Sequence, residues 1–323
     1  MLRTDGGSDC SISTRELWEK VLWKRQDYQD NYTDNTFLQH LVINASIPPR
    51  SYWPVALAST AVTQQLSCVI MAAAVPLHLH AGRMTAHGVL AACGLLLALG
   101  YGTCALLGSH LLGGSVTRGV RQCLLLVGGV YGLTPLLRSL AATTSTDSIV
   151  ALAVGGGILH LALCDYGYIT NSGVNDRLTG ALSLGCAVMA AVLLASRMRS
   201  EIEVFAQVLL SLELFLLSPY VRRHVHRHSV TAHLGLTVVM VAVAATLLFS
   251  MSPVAAAAYG VAVVAVTFMV PAALVRAHKF KAHISGPWDE AAPHIPRELV
   301  RLSPVKPPKP YSVQQQQQQA LEQ

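Results

Sequence analysis

Long apolar blocks and short polar joints alternate through the middle of this chain. Eight apolar runs stand out, at about 53–77, 86–109, 120–142, 148–165, 178–196, 203–220, 231–250 and 254–275. Each is close to the ~20 residues a helix needs to cross the hydrocarbon core of a bilayer. The pattern predicts an all-α fold, a polytopic membrane helix bundle of about eight transmembrane helices. The joints are short, so successive helices should pack antiparallel. The runs are rich in Ala and Gly, including Gly128-Gly129 and Gly155-Gly156-Gly157. Small residues let helices approach closely in lipid, where packing drives association.

Three regions follow from the same pattern. Residues 1–52 form a polar N-terminal tail, 53–275 the transmembrane domain, and 276–323 a polar C-terminal tail. The last region is Pro- and Gln-rich beyond about 303, ending near Gln314–Gln319, and its composition is that of a flexible tail. In the N-terminal tail, Ser13 or Thr14 is placed to cap a short helix. Trp18, Val21, Leu22 and Trp23 would give that helix an aromatic face suited to the membrane interface. Residues 1–50 contain no early apolar stretch of the signal-peptide kind, so the first span is expected to act as the targeting signal.

Charge sharpens this reading. The chain is 52% hydrophobic and only 12% charged, about half the charge of an ordinary soluble domain. Between Trp53 and Val275 there are ten Arg, no Lys and six acids. The net charge of +6 therefore does not point to nucleic acid; it points to basic loops facing anionic lipid headgroups. An even number of spans puts both tails on one side. Placing them in the cytosol puts Arg50, Arg118, Arg121, Arg177, Arg222, Arg223, Arg227, Arg276, Lys279 and Lys281 inside. Only Arg83, Arg138, Arg197 and Arg199 remain outside, which satisfies the positive-inside rule. On this topology the sequons at Asn31 and Asn44 stay unglycosylated.

Candidate chemistry is sparse. Six of the seven cysteines lie in apolar runs with no metal-ligand spacing, so they read as small buried hydrophobes, and no metal site is expected. The densest polar set lies between Tyr131 and Gly167. Arg138 is expected to snorkel and pair with Asp147 across the turn at 143–148, or to contact a lipid or sugar phosphate; Asp147 can equally cap the fourth helix. His160 and Asp165 are five residues apart, about 140° around a helix, so they do not form one ligand face. His160 reads as a hydrogen-bonded bundle residue. Asp165 and Tyr166 sit at the cytosolic end, where they could meet a substrate or a partner. Gln64, Gln65 and Glu213 are mid-span, and amide-to-acid bonds between helices are expected there. The basic, His-rich stretch Arg222–His228 reads as a loop facing anionic lipid, because its arginines repel a metal cation. No DxD, P-loop or GxSxG motif is found, and no cofactor motif. Any sugar-nucleotide chemistry would come from another chain.

Four ordered stretches carry a family likeness. The N-terminal tail has Trp18-x-Lys20-Val21-Leu22-Trp23-x-Arg25-Gln26, then Tyr28-x-Asp30-Asn31-Tyr32-x-Asp34 and Phe37-Leu38. The middle has Tyr131-Gly132, Pro135, Ser145-Thr146-Asp147 with Ile149, and Asp165-Tyr166-Gly167. Ala195-Ser196-Arg197 and then Gly286-Pro287-Trp288-Asp289-Glu290 complete the set. In these stretches, from residue 18 to 290, the chain resembles the PIG-C family of membrane subunits of phosphatidylinositol N-acetylglucosaminyltransferase. Leu163-Cys164 departs from the bulkier aromatics expected before Asp165.

The resemblance implies a multi-pass endoplasmic reticulum protein. It would be a non-catalytic subunit in the first step of glycosylphosphatidylinositol (GPI) anchor synthesis, beside a separate catalytic glycosyltransferase and the other members of its complex. UDP-N-acetylglucosamine would be the donor and phosphatidylinositol the acceptor. The segments holding Trp18, Trp23, Trp288 and Asp289 would then face the cytosol as docking surfaces. Composition alone admits an alternative, a secondary transporter of a small or lipid-like solute, but no clear internal repeat supports it.

Overall fold

The computed structural model describes residues 50–107, 116–140, 143–170 and 177–278, with 280, 281, 284 and 285, and residues 19, 21, 23–26, 28, 29, 32, 42 and 43 of the N-terminal tail. The chain forms two compact units, residues 49–281 and the two tails together.

Eight long helices occupy the eight apolar runs. They are α1 (Tyr52–His80), α2 (Ala86–Leu106), α3 (Val116–Ser139), α4 (Thr146–Leu163), α6 (Arg177–Ala195), a long segment Glu201–His228, α9 (Val230–Phe249) and a second long segment Pro253–His278. A five-residue helix, α5 (Tyr166–Thr170), follows α4. Seven of the eight are long and apolar enough to cross a membrane; α3, with Arg118, Arg121 and Arg138, is the eighth long helix and falls outside that set. Most starts are set by local chemistry. Thr85, Ser145, Ser200, Ser229 and Ser252 each accept from a backbone N–H in the first turn of the helix that follows, filling donors that have no partner within the helix.

The two longest segments share a device that the apolar pattern does not announce. Glu201–His228 is α7 (Glu201–Leu212), a π-helical turn Glu213–Leu217, and α8 (Ser218–His228). Pro253–His278 is α10 (Pro253–Val264), a π-helical turn Ala265–Met269, and α11 (Val270–His278). Each π turn ends two residues before a proline, Pro219 or Pro271. A proline inside a helix removes one N–H and crowds the carbonyl four residues back; widening the preceding turn relieves both.

Close packing depends on glycine only where glycine meets a neighbour. A Cβ on Gly156 would stand 3.2 Å from the carbonyl of Cys186 and 3.2 Å from the Ala190 methyl, and one on Gly157 3.3 Å from Val69. These two residues seat α4 against α6 and α1. Gly128, Gly129, Gly132 and Gly155 meet nothing within 4 Å. Of the cysteines in the apolar runs, Cys68, Cys93 and Cys104 are buried as expected, Cys164 and Cys186 are half-buried, and Cys123 on α3 is exposed.

In the tail unit, β1 (Val42–Ile43) pairs antiparallel with β2 (Ile284–Ser285), Val42 opposite Ser285. The short helix expected around Trp23 is not formed at residues 19, 21 and 23–26. The Gln26 side-chain amide donates to Glu19 O at 2.7 Å and accepts from Glu19 N at 2.8 Å; the rest of the expected helix lies outside the described residues. Trp23 is exposed. Trp18, Trp288, Asp289 and both sequons lie outside the described residues.

Candidate functional site

The stretch Arg222–His228 is not a lipid-facing loop. The π turn lets the helix run on past Pro219, so these residues form most of α8. Helical spacing then separates them. Arg227 and His228 are directed outward, Arg223 lies over the Tyr168 ring at 4.3 Å, and Arg222 turns inward and is only 1% exposed. An inward arginine in a membrane bundle requires partners.

Its partner is an amide. Arg222 Nη2 donates to Gln65 Oε1 of α1. An arginine can only donate, so this bond fixes the orientation of the Gln65 amide. Gln65 Nε2 then faces His160 Nε2 of α4 at 2.6 Å. The amide nitrogen can only donate, so His160 Nε2 carries a lone pair and its proton sits on Nδ1. That proton reaches Ser183 of α6, whose Oγ and O lie 2.8 and 2.9 Å away. Ser183 Oγ donates in turn to His160 O at 2.9 Å. The relay Arg222–Gln65–His160–Ser183 crosses four helices and contains one charge, on Arg222. His160 also packs edge-on against Phe215 at 4.9 Å and lines an apolar cleft with Val69, Ala72, Gly157 and Ala187.

The relay leaves Arg222 unsatisfied. Its Nε and Nη1 have no hydrogen-bond partner, and among the described residues no carboxylate pairs with it. The expected amide-to-acid bond does not form either. Gln65 is taken by Arg222 and His160. Gln64 donates to Thr237 at 2.8 Å in a second cluster with His233. Glu213, in the first π turn, is buried; its carboxylate oxygens have the Cys93 thiol beside them but no hydrogen-bond partner of normal geometry. The cation and the acid lie nine residues apart on one segment and do not meet.

Asp165 and Tyr166 lie beside the relay, not in it. Asp165 Oδ1 accepts from Tyr168 N at 3.1 Å and so caps α5. Tyr166 Oη donates back to Leu161 O at 2.6 Å. These bonds turn α5 across the end of α4, against α8 and α1. Past the end of α4, burial pushes the Cys164 thiol up to about 11, although the Arg222 charge pulls it down; it is therefore no thiolate nucleophile near neutrality. Burial also raises the Tyr166 phenol against the same pull.

The expected pair of Arg138 and Asp147 is absent. Arg138 Nη2 donates to Arg199 O at 3.0 Å. The arginine that reaches the 143–148 turn is Arg197, which donates to Thr144 O. Asp147 is exposed in the first turn of α4, where Ser145 supplies the cap. Among the described residues, no three His, Cys, Asp or Glu side chains are grouped to hold a metal ion.

The family profile for GPI2, phosphatidylinositol N-acetylglucosaminyltransferase, matches residues 18–289. The chain belongs to that family. It is 38% identical to a Dictyostelium discoideum protein named as a putative subunit of this transferase, over 85% of this chain and 79% of the relative. It is 30% identical to the corresponding Homo sapiens subunit over 90% of this chain and 97% of the relative. It is 30% identical to the GPI2 subunit from Schizosaccharomyces pombe over 88% and 89%. No solved structure matches the chain. Among the described residues, several positions that carry the family likeness build the fold. Ser145 caps α4, Arg197 clasps the turn before it, Tyr131 packs edge-on against Phe205 at 5.5 Å, and Asp165 caps α5.

Sequence reasoning picked out Gln65 and His160 but missed Arg222. The signal was present: Ser218-Pro219 reads as the end of a span, whereas Pro also suits the first turn of a helix. With α8 helical, Arg222 and His226 share one face and Arg223 and Arg227 another.

Proposed function

We propose that this chain is a non-catalytic membrane subunit of the complex that transfers N-acetylglucosamine from UDP-N-acetylglucosamine to phosphatidylinositol, the first step of GPI anchor synthesis. The observation that carries this reading is the family match over residues 18–289, which spans the whole bundle. The chain works in the endoplasmic reticulum membrane beside the catalytic glycosyltransferase and the other members of the complex. It scaffolds them and presents the lipid acceptor. The chemistry of the described bundle supports a binding role: its polar centre holds donors and one cation, and no paired carboxylates or activated nucleophile among the described residues. Both tails lie in the cytosol; the pairing of β1 with β2 favours one shared side, and the basic joints favour the inner one.

Deletion and rescue test this reading. Microsomes lacking the chain should form no N-acetylglucosaminyl-phosphatidylinositol, and the chain should restore it; normal synthesis without it overturns the reading. Glycosylation of Asn31 or Asn44 in cells would overturn the orientation.

A further inference from the structure

We infer that Arg222 anchors the phosphodiester of a membrane lipid headgroup, admitted past α5. The inference rests on the subunit reading above and assigns the lipid-presenting role to one side chain.

The starting point is an unbalanced charge. A buried ion in a low-dielectric interior costs several kcal/mol unless a counter-ion and hydrogen bonds offset that cost. Arg222 is 1% exposed and has one bond, to a neutral amide. Two of its three guanidinium nitrogens have no acceptor. Among the described residues, the titratable and polar groups around it supply no negative charge. Gln65 is neutral, His160 is neutral with its proton on Nδ1, and Cys164 and Tyr166 are protonated. Asp165, the described acid nearest α5, is turned to the N–H of Tyr168. Glu213, the buried acid of the same segment, makes no ion pair with it. An anion from outside the chain would balance Arg222, and phosphate oxygens suit a guanidinium in both charge and geometry.

The surroundings select a lipid over a free phosphate. Arg222 lies on α8 near the end of a span, the level at which headgroups meet a bundle. Gln65 joins it to His160, and His160 borders the apolar cleft of Val69, Ala72, Gly157, Ala187 and Phe215. A soluble anion has no use for that cleft; an acyl chain does. The cover is α5, a single helical turn packed on α8 and α1, the helices that carry Arg222 and Gln65. It is held by the Asp165 cap, by Tyr166 Oη on Leu161 O, by Arg223 against Tyr168 and by the buried side chain of Ile169. A five-residue element opens more readily than the spans themselves.

The test uses the complete complex, assembled with this chain in microsomes and exposed to a photo-activatable phosphatidylinositol. Labelling of this chain is read together with kcat and KM for the lipid acceptor. Arg222→Met should lower labelling at least tenfold and raise KM for the lipid, and Arg222→Lys should recover part of both. Gln65→Glu is the decisive variant, because it supplies the missing negative charge and keeps the arginine. It should assemble with its partners at least as well as wild type and still lose labelling at least tenfold. Labelling of the assembled Gln65→Glu complex at the wild-type level would overturn the inference. Displacement of the label by inorganic phosphate or inositol phosphate as readily as by phosphatidylinositol would overturn the lipid as the occupant. Normal product formation in microsomes that lack the chain would sink the subunit reading itself; normal product with unchanged labelling in the variants would sink only the inference.

Discussion

The two ends of the bundle treat arginine differently. At the end where α1 gives way to α2 and α9 to α10, Arg83 donates to Ser250 O, Arg138 to Arg199 O and Arg197 to Thr144 O. All three are outside the core, and each closes a joint by satisfying a carbonyl at a helix end or turn. At the opposite end, Arg222 is buried, bonds an amide, and keeps two nitrogens without acceptors. Among the described residues, Arg83, Arg138 and Arg222 have no carboxylate partner, so a bare count of ion pairs would not tell the two ends apart. The difference lies in what remains after the bonds are made. Arg83 and Arg138 are exposed, so water completes their clasps, whereas a buried cation with spare donors is a binding group without its ligand.

Substitutions at the two ends should therefore separate activity from stability. The largest effect is expected at Arg222→Met, with product formation per assembled complex falling at least tenfold in a microsomal transfer assay. Full activity would place Arg222 among the structural clasps. His160→Leu comes next. It removes the acceptor of Gln65 and the donor to Ser183, leaving buried polar groups unpaired at about 1–3 kcal/mol. A lower thermal midpoint of the solubilised chain checks that loss, and activity should fall as Gln65 loses its hold on Arg222. Arg197→Ala at the other end should cost about 1–2 kcal/mol by the same melt, since a charge-assisted bond to a backbone carbonyl is lost. Product per assembled complex should stay unchanged; a drop would show that this end also serves the reaction. The smallest effect is expected at Asp147→Ala, about 0.3–0.5 kcal/mol from the first turn of α4. Reduced assembly with preserved specific activity fits that expectation, and full assembly without product would bring Asp147 to the chemistry.

Individual residues show how far the apolar pattern could be trusted. Among the described residues the eight runs became eight long helices, seven of them apolar enough to satisfy their backbone within lipid. Gly156 and Gly157 were legible as close-packing residues, whereas Gly128 and Gly132 look identical in sequence and face no neighbour. Cys123 shows the same limit: an apolar run says that a residue lies in the membrane, not which way it faces. Arg138 and Asp147 were matched by sequence distance and charge sign, yet the arginine found another partner, because a backbone carbonyl within reach competes well with an exposed carboxylate.

Hydropathy and ordered motifs are enough to establish a helical membrane bundle of this family. Those properties are local or additive: apolarity over a window, capping residues at a joint, matched stretches from residue 18 onward. Only packing in three dimensions turns Arg222 inward, brings Gln65 and not Glu213 to meet it, and completes the relay with His160 of a third helix and Ser183 of a fourth. The physical reason is the phase of α8. One π turn before Pro219 shifts the helix face by part of a turn, and that shift settles which of three neighbouring arginines enters the core.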